Sequence, residues 1–150
     1  MMGLPTAAEQ FMPHSAPMAL IDTVISCALE AIVAEVRISP ETMFCRDGVV
    51  PAWVGIEYMA QTAAAWSGYN ARVKDEANDE PAIGYLLGTR DYSVHCDGFM
   101  LGDKLEISAE CLLQSVDGLG SFDCKIERNG VLIATARLSV FQPAAGHSMA

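Results

Sequence analysis

VPAWVGIEYMAQTAAAWSGYNAR, residues 50 to 72, is the stretch whose reading decides the fold. Within it Ile56, Met59, Ala60, Ala63, Ala64 and Ser67 recur at the three- and four-residue spacing of one face of an α-helix. Trp53, Val54, Tyr58, Ala65 and Trp66 make the other faces apolar or small as well. A helix over 52–72, buried on most sides, is therefore expected to be the centre of the protein. Glu57 is the only charged side chain between Asp47 and Arg72. Buried, it requires a raised pKa or a partner. A carboxylic acid kept protonated near neutral pH is what a general acid needs. The competing reading is a structural carboxylate that caps backbone groups or faces solvent at a helix edge. Gln61, one turn further along, is placed to hydrogen-bond and orient Glu57.

Outward from the helix, the chain reads mainly as strand. Residues 5–12 (PTAAEQFM) suggest a short helix opened by Pro5, closing an N-terminal segment 1–12. MALIDTVISC (18–27) and EAIVAEVRI (30–38) alternate apolar with polar residues, as a β-hairpin does. SPETMFCRDGVVP (39–51) is a loop by its Pro, Gly and charge content, and VKDEANDEP (73–81) is a solvated linker. Strands are expected over 82–96, 103–116, 121–128 and 131–142, forming an antiparallel meander. Asp117-Gly118 and Asn129-Gly130 fall where type I′ turns take residues tolerant of positive φ. The expected architecture is one α+β domain over 1–150. Its central helix is wrapped by about six antiparallel strands, with a flexible tail at 143–150.

Composition narrows the function. A chain of 150 residues is one domain that buries roughly two-thirds of its unfolded surface. It is 51% hydrophobic and 19% charged, which excludes a disordered protein and leaves apolar surface for a subunit interface. Its formal charge of −10 opposes the basic footprint that nucleic acid or anionic lipid requires. Five scattered cysteines without a C-x-x-C pair read as reduced thiols, and no metal site or cofactor motif is recognisable. MMGLPTAAEQFMPH carries no signal-peptide pattern, so a cytoplasmic location is expected. No run of about 18 apolar residues marks a membrane span.

Other candidate groups are sparse. His14, flanked by Pro13 and Ser15, reads as a structural hydrogen-bonder or a base. His95 and His147 carry no further signal, and no serine sits in a G-x-S-x-G elbow. Trp53, Tyr58, Met59, Trp66 and Tyr69 cluster on the helix, either as core or as the wall of an apolar substrate tunnel.

Two segments carry a family resemblance. MPHSAPMALIDTVIS (12–26) resembles the Leu-Pro-His-Arg-x-Pro-x-Leu-Leu-x-Asp opening of the β-hydroxyacyl-ACP dehydratases. VPAWVGIEYMAQTAA (50–64) is similar to their Phe-Pro-Gly-x-x-x-x-Glu-x-Met-Ala-Gln helix, and LGD (101–103) before a long strand fits too. More closely, GIEYMAQ, LLGTRDY and ARLSVFQP resemble the dehydratase-like proteins of aryl polyene pigment pathways. The resemblance implies a hot-dog fold, a dimer with joined sheets, and elimination of water from a 3-hydroxyacyl thioester, a lyase reaction of fatty acid or polyketide biosynthesis. In such enzymes a His takes the Cα proton, an acid protonates the leaving hydroxyl, and a backbone N–H at the helix start polarises the thioester carbonyl. Glu57 falls on the acid, Gln61 on the family's Gln, and Ala52 on the Gly whose amide is the oxyanion donor.

The family's base lies in a Gly-His-Phe-Pro-Gly segment before the helix. Here that stretch reads FCRDGVVPAW (44–53), shorter and without His. His14 matches the opening His, which is not the family's base. Three explanations compete: His14 is recruited, a partner chain supplies the His, or the chain is a non-catalytic subunit. The second is favoured, because a site shared between protomers tolerates loss of one half in each chain. The expected partners are an acyl carrier protein or coenzyme A thioester, and a second hot-dog dehydratase in a homodimer or heterodimer. A hot-dog thioesterase, with Glu57 activating water, is the alternative enzyme. Acyl carrier proteins are acidic, so docking on this chain falls to its few cations, Arg72, Lys74 and Arg90, or to the partner.

Overall fold

The computed structural model describes residues 3–12, 18–74 and 85–141, apart from the side chains of residues 72, 74 and 85–87. Among the described residues nine strands and one α-helix follow in the order β1 (Thr6–Ala7), β2 (Thr23–Cys27), β3 (Ala31–Arg37), β4 (Val49–Pro51), α1 (Val54–Lys74), β5 (Tyr85–Val94), β6 (Gly98–Met100), β7 (Lys104–Gln114), β8 (Leu119–Arg128) and β9 (Val131–Phe141). Seven strands form one antiparallel sheet in the order β1-β2-β3-β7-β8-β9-β5, while β4 and β6 pair separately.

Helix α1 lies against this sheet as the periodicity requires. Val54, Tyr58, Met59, Ala63, Ala65 and Trp66 are buried with Ile32, Leu105, Ile107, Ile126 and Leu138 in one core. Burial of each large apolar side chain contributes about 1.5–3 kcal/mol, so the interface between helix and sheet dominates stability. Trp66 Nε1 donates to the Ala28 carbonyl at 3.1 Å, and the Asn70 amide reaches the same oxygen at 3.3 Å. These bonds tie the helix to the β2–β3 turn. Near its far end Gly68 lets the chain before β2 come close, since a Cβ there would run into the Phe11 carbonyl.

Several expectations are corrected. The helix runs over Val54–Lys74 rather than 52–72. Its face at Ile56, Ala60, Ala64 and Ser67 is half-buried, and the opposite side carries the fully buried residues. The sheet supplies one packing surface, so a helix apolar all round still leaves one strip less covered. The short helix expected over 5–12 is confined to a 3₁₀ helix at Ala8–Phe11, and Thr6–Ala7 before it form β1. The hairpin 18–27/30–38 shortens to β2 and β3, because Met18 and Leu20 are instead tied to α1 through Gln61.

The meander is also revised. β7, β8 and β9 follow one another, but β5 pairs with β9 at the far edge. The chain crosses from β5 to β7 through β6, which pairs with β4. Asn129 and Gly130 both have positive φ, as a type I′ turn demands. At the β7–β8 turn only Gly118 does, and the Gly118 N–H bonds the Ser115 carbonyl. That loop is wider than the two-residue turn expected. The tail 143–150 lies outside the described residues.

Candidate active site

The chain leaves β4 at Pro51 and enters α1 through Ala52 and Trp53. The Gly55 N–H bonds the Ala52 carbonyl at 3.1 Å and the Ile56 N–H bonds the Trp53 carbonyl at 3.3 Å, closing the first turn. Among the described residues the N–H groups of Ala52, Trp53 and Val54 donate to no backbone carbonyl. They stand at the positive end of a 21-residue helix. Amides so placed stabilise an oxyanion or a polarised carbonyl oxygen.

Glu57 lies in the first turn of α1, close to these amides along the helix. The expectation of burial does not hold for the single chain, where Glu57 is exposed. The reason is rotational: the sheet covers Val54, Tyr58 and Met59, while Trp53, Glu57, Ala60 and Ala64 face the less covered strip. Among the described residues Glu57 makes no hydrogen bond or ion pair. The carboxylate is therefore free to meet a group from outside the chain.

Gln61 does not orient Glu57. Its Oε1 accepts the Leu20 N–H at 2.7 Å and its Nε2 donates to the Met18 carbonyl at 2.9 Å, so both ends of the amide hold the segment before β2. Trp53 is exposed and meets Phe44 edge to face, with ring centroids 5.2 Å apart. Phe44 holds a φ of +71, costly for an aromatic residue, so the loop before β4 accepts strain to place this pair beside the helix start. Tyr58 and Met59 are fully buried in the core of the single chain. Among the described residues the Tyr58 hydroxyl has no hydrogen-bond partner, and burial, with the Asp22 charge adding, drives its phenol far above the ordinary value.

One residue that sequence reasoning missed reaches this turn. Tyr92 on β5 donates its hydroxyl to the Ala52 carbonyl at 2.6 Å. A tyrosine on a strand carries no local signal of such a contact, which spans 40 positions of chain. His14 and His147 lie outside the described residues, and His95 is exposed just after β5 with no interaction joining it to Glu57. Arg90 is exposed and unpaired among the described residues, while the side chains of Arg72 and Lys74 lie outside them. A separate groove of about 540 Å³ is lined by Leu20, Asp22, Arg37, Ser39, Thr42 and Met43, among others, and by none of the expected site residues. The described residues hold no cluster of three or more His, Cys, Asp or Glu side chains suited to a metal ion. They include no helix long and apolar enough to cross a membrane.

Comparison with known proteins follows the same lines. The model of the ApeP-like family, described as ApeP dehydratase, matches residues 6–150. No curated protein matches the chain. Among solved structures, a chain of the dehydratase heterocomplex ApeI:P from Xenorhabdus doucetiae is 32% identical with a TM-score of 0.84, over 96% of this chain and 94% of that one. A hypothetical thioesterase with coenzyme A from Streptococcus pneumoniae is 14% identical with a TM-score of 0.61, over 79% and 83% of the two chains. Zebra fish thioesterase superfamily member 2 is 18% identical with a TM-score of 0.59, over 81% and 80%. The two thioesterase likenesses bear on fold alone. One helix against a large antiparallel sheet, with these neighbours, is a hot-dog fold.

Proposed function

The chain belongs to the ApeP-like dehydratase family, and from that membership we propose that it is one subunit of a hot-dog dehydratase acting on 3-hydroxyacyl thioesters. Glu57 is the acid of a site that a partner chain completes with its histidine. The observation that carries the proposal is an exposed Glu57 in the same first turn as the amides of Ala52, Trp53 and Val54, all without a hydrogen-bond partner among the described residues. The solved relative from Xenorhabdus doucetiae is itself part of a dehydratase heterocomplex, which supports a second hot-dog chain as the partner. Among the described residues β5 forms one edge of the sheet and pairs only with β9, which leaves a ladder for a partner strand to extend.

In the proposed reaction the thioester carbonyl oxygen takes hydrogen bonds from the amides at the start of α1, which lowers the pKa of the Cα–H. The partner histidine removes the Cα proton, and the electron pair forms the Cα–Cβ double bond. The Cβ–O bond breaks as protonated Glu57 gives its proton to the departing hydroxyl, which leaves as water. The products are an enoyl thioester, a Glu57 carboxylate and an imidazolium, and return of one proton from the imidazolium to Glu57 resets the site. Docking of the partner covers Glu57 and excludes water from the site.

The proposed substrate is a 3-hydroxyacyl chain on an acyl carrier protein or coenzyme A in an aryl polyene pathway. Its acidic carrier docks mainly on the partner, because this chain carries −10. The test is to purify the chain alone and with its hot-dog partner and to follow a 3-hydroxyacyl carrier protein by mass spectrometry. Loss of water only in the paired sample supports the shared site. Full activity of the isolated chain contradicts it, and release of free thiol selects a thioesterase.

A further inference from the structure

Strand β5 breaks its ladder with β9 twice, between Leu86 and Gly88 and between Arg90 and Ser93, and the second break matters here. Arg90 faces Arg137 and Ser93 faces Thr135, so Asp91 and Tyr92 together oppose Ala136. Asp91 takes a φ of +56, in the left-handed region that non-glycine residues enter at a cost. The consequence is a change of phase. Thr89 is half-buried and Arg90 exposed, so regular alternation would turn Asp91 inward and Tyr92 outward. With the bulge, Arg90 and Asp91 are both exposed, while Tyr92 and Val94 turn inward.

The helix accommodates what the strand delivers. A Cβ at Gly55 would collide with the Tyr92 hydroxyl and would stand 3.2 Å from Phe99 Cζ, so the second residue of α1 leaves the space that the phenol fills. Burial pushes the Tyr92 phenol up to about 12, which keeps it a donor at neutral pH. Its acceptor, the Ala52 carbonyl, shares a rigid peptide plane with the Trp53 N–H. In a trans peptide the two point in opposite directions. The same oxygen accepts the Gly55 N–H, so the Tyr92 and Gly55 bonds together fix the plane, with the Trp53 N–H pointing away from the buried phenol.

We propose that Tyr92 is a positioning residue, which fixes the Ala52–Trp53 peptide so that its N–H faces the substrate carbonyl. The proposal rests on the dehydratase reading above and adds a residue to it. It also links partner and site, since Tyr92 lies on the edge strand that the partner would extend.

The experiment compares Tyr92→Phe with the unmodified chain in the assembled pair, using a 3-hydroxyacyl thioester and hydrogen exchange at the amides of Gly55 and Ile56, which close the first turn. The expected result is a fall in kcat of about 10-fold or more with KM changed by less than about 2-fold, because misplacement of a donor is felt mainly in the transition state. Exchange at Gly55, whose N–H bonds the Ala52 carbonyl, should quicken while assembly is kept. Gly55→Ala should produce the same kinetic pattern by displacing the hydroxyl, and the double variant should lose less than the product of the single losses. Unchanged exchange, unchanged kcat, or full multiplication of the two losses overturns the proposal. So does a loss of activity that disappears under conditions where the variant is fully folded. An unmodified pair that forms no enoyl product refutes the dehydratase reading instead, and exchange at Gly55 still decides whether Tyr92 anchors the turn.

Discussion

Gln61 holds Leu20: its side-chain oxygen accepts the Leu20 N–H at 2.7 Å, while its amide nitrogen donates to the Met18 carbonyl at 2.9 Å. The side chain is buried, so truncation leaves backbone groups without partners. Gln61→Ala should destabilise the chain by about 2 kcal/mol in urea unfolding. Glu57→Gln should cost less than about 1 kcal/mol, since only its interaction with the helix dipole is lost. Equal costs would contradict the separation of roles between two residues one turn apart.

Gly68→Ala should behave unlike an ordinary glycine replacement in a helix, which gains up to about 1 kcal/mol. Here the added Cβ meets the Phe11 carbonyl, a backbone atom. The expected outcome is a loss of about 1–3 kcal/mol in urea unfolding, the usual range for overpacking. A stabilised variant would show that the 3₁₀ turn does not rest on α1.

The alkaline limb of stability should report Tyr92. Burial, with Cys96 adding, raises its phenol from an ordinary 10 to about 12. Below that window the group is neutral in both states. Within it the unfolded chain ionises first and binds fewer protons, so stability falls as pH rises. Tyr92→Phe removes this contribution while leaving Tyr58 and the cysteines in place. Its curve of unfolding free energy against pH should therefore be shallower between pH 10 and 12. Parallel curves for the two proteins would contradict the burial of the hydroxyl.

The thiols should divide by burial. Burial pushes Cys27 and Cys124 up to about 12, with the Asp123 charge adding at Cys124. Since the thiolate is the nucleophile, both should resist iodoacetamide at pH 8 in the native chain and react once it is unfolded. Peptide mass spectrometry reads each site. Native labelling of Cys124 at the rate of a free thiol would contradict its place in the core.

Legibility of the sequence followed the range of the interactions. The helix, the β7–β9 strands and the Asn129-Gly130 turn were readable, because periodicity and turn chemistry are local. Strand order was not, since the pairing of β5 with β9 depends on how 95–103 crosses by way of β6. Asp47 and Gly48, both at positive φ between the bridged Arg46 and Val49, are a tight-turn signal in a stretch read only as loop. At the site, Glu57 stood out by charge, but its exposure depended on which side of α1 the sheet covers. The roles of Gln61 and Tyr92 are fixed by contacts 41 and 40 positions away. Nothing local in the sequence encodes them.

The most direct test of the central claim is the dehydration rate of the assembled pair carrying Glu57→Gln, with assembly checked by size-exclusion chromatography. The account predicts an intact complex whose kcat falls by at least about 100-fold, the scale of a lost general acid. A Glu57→Gln pair that assembles and dehydrates at the unmodified rate would contradict it.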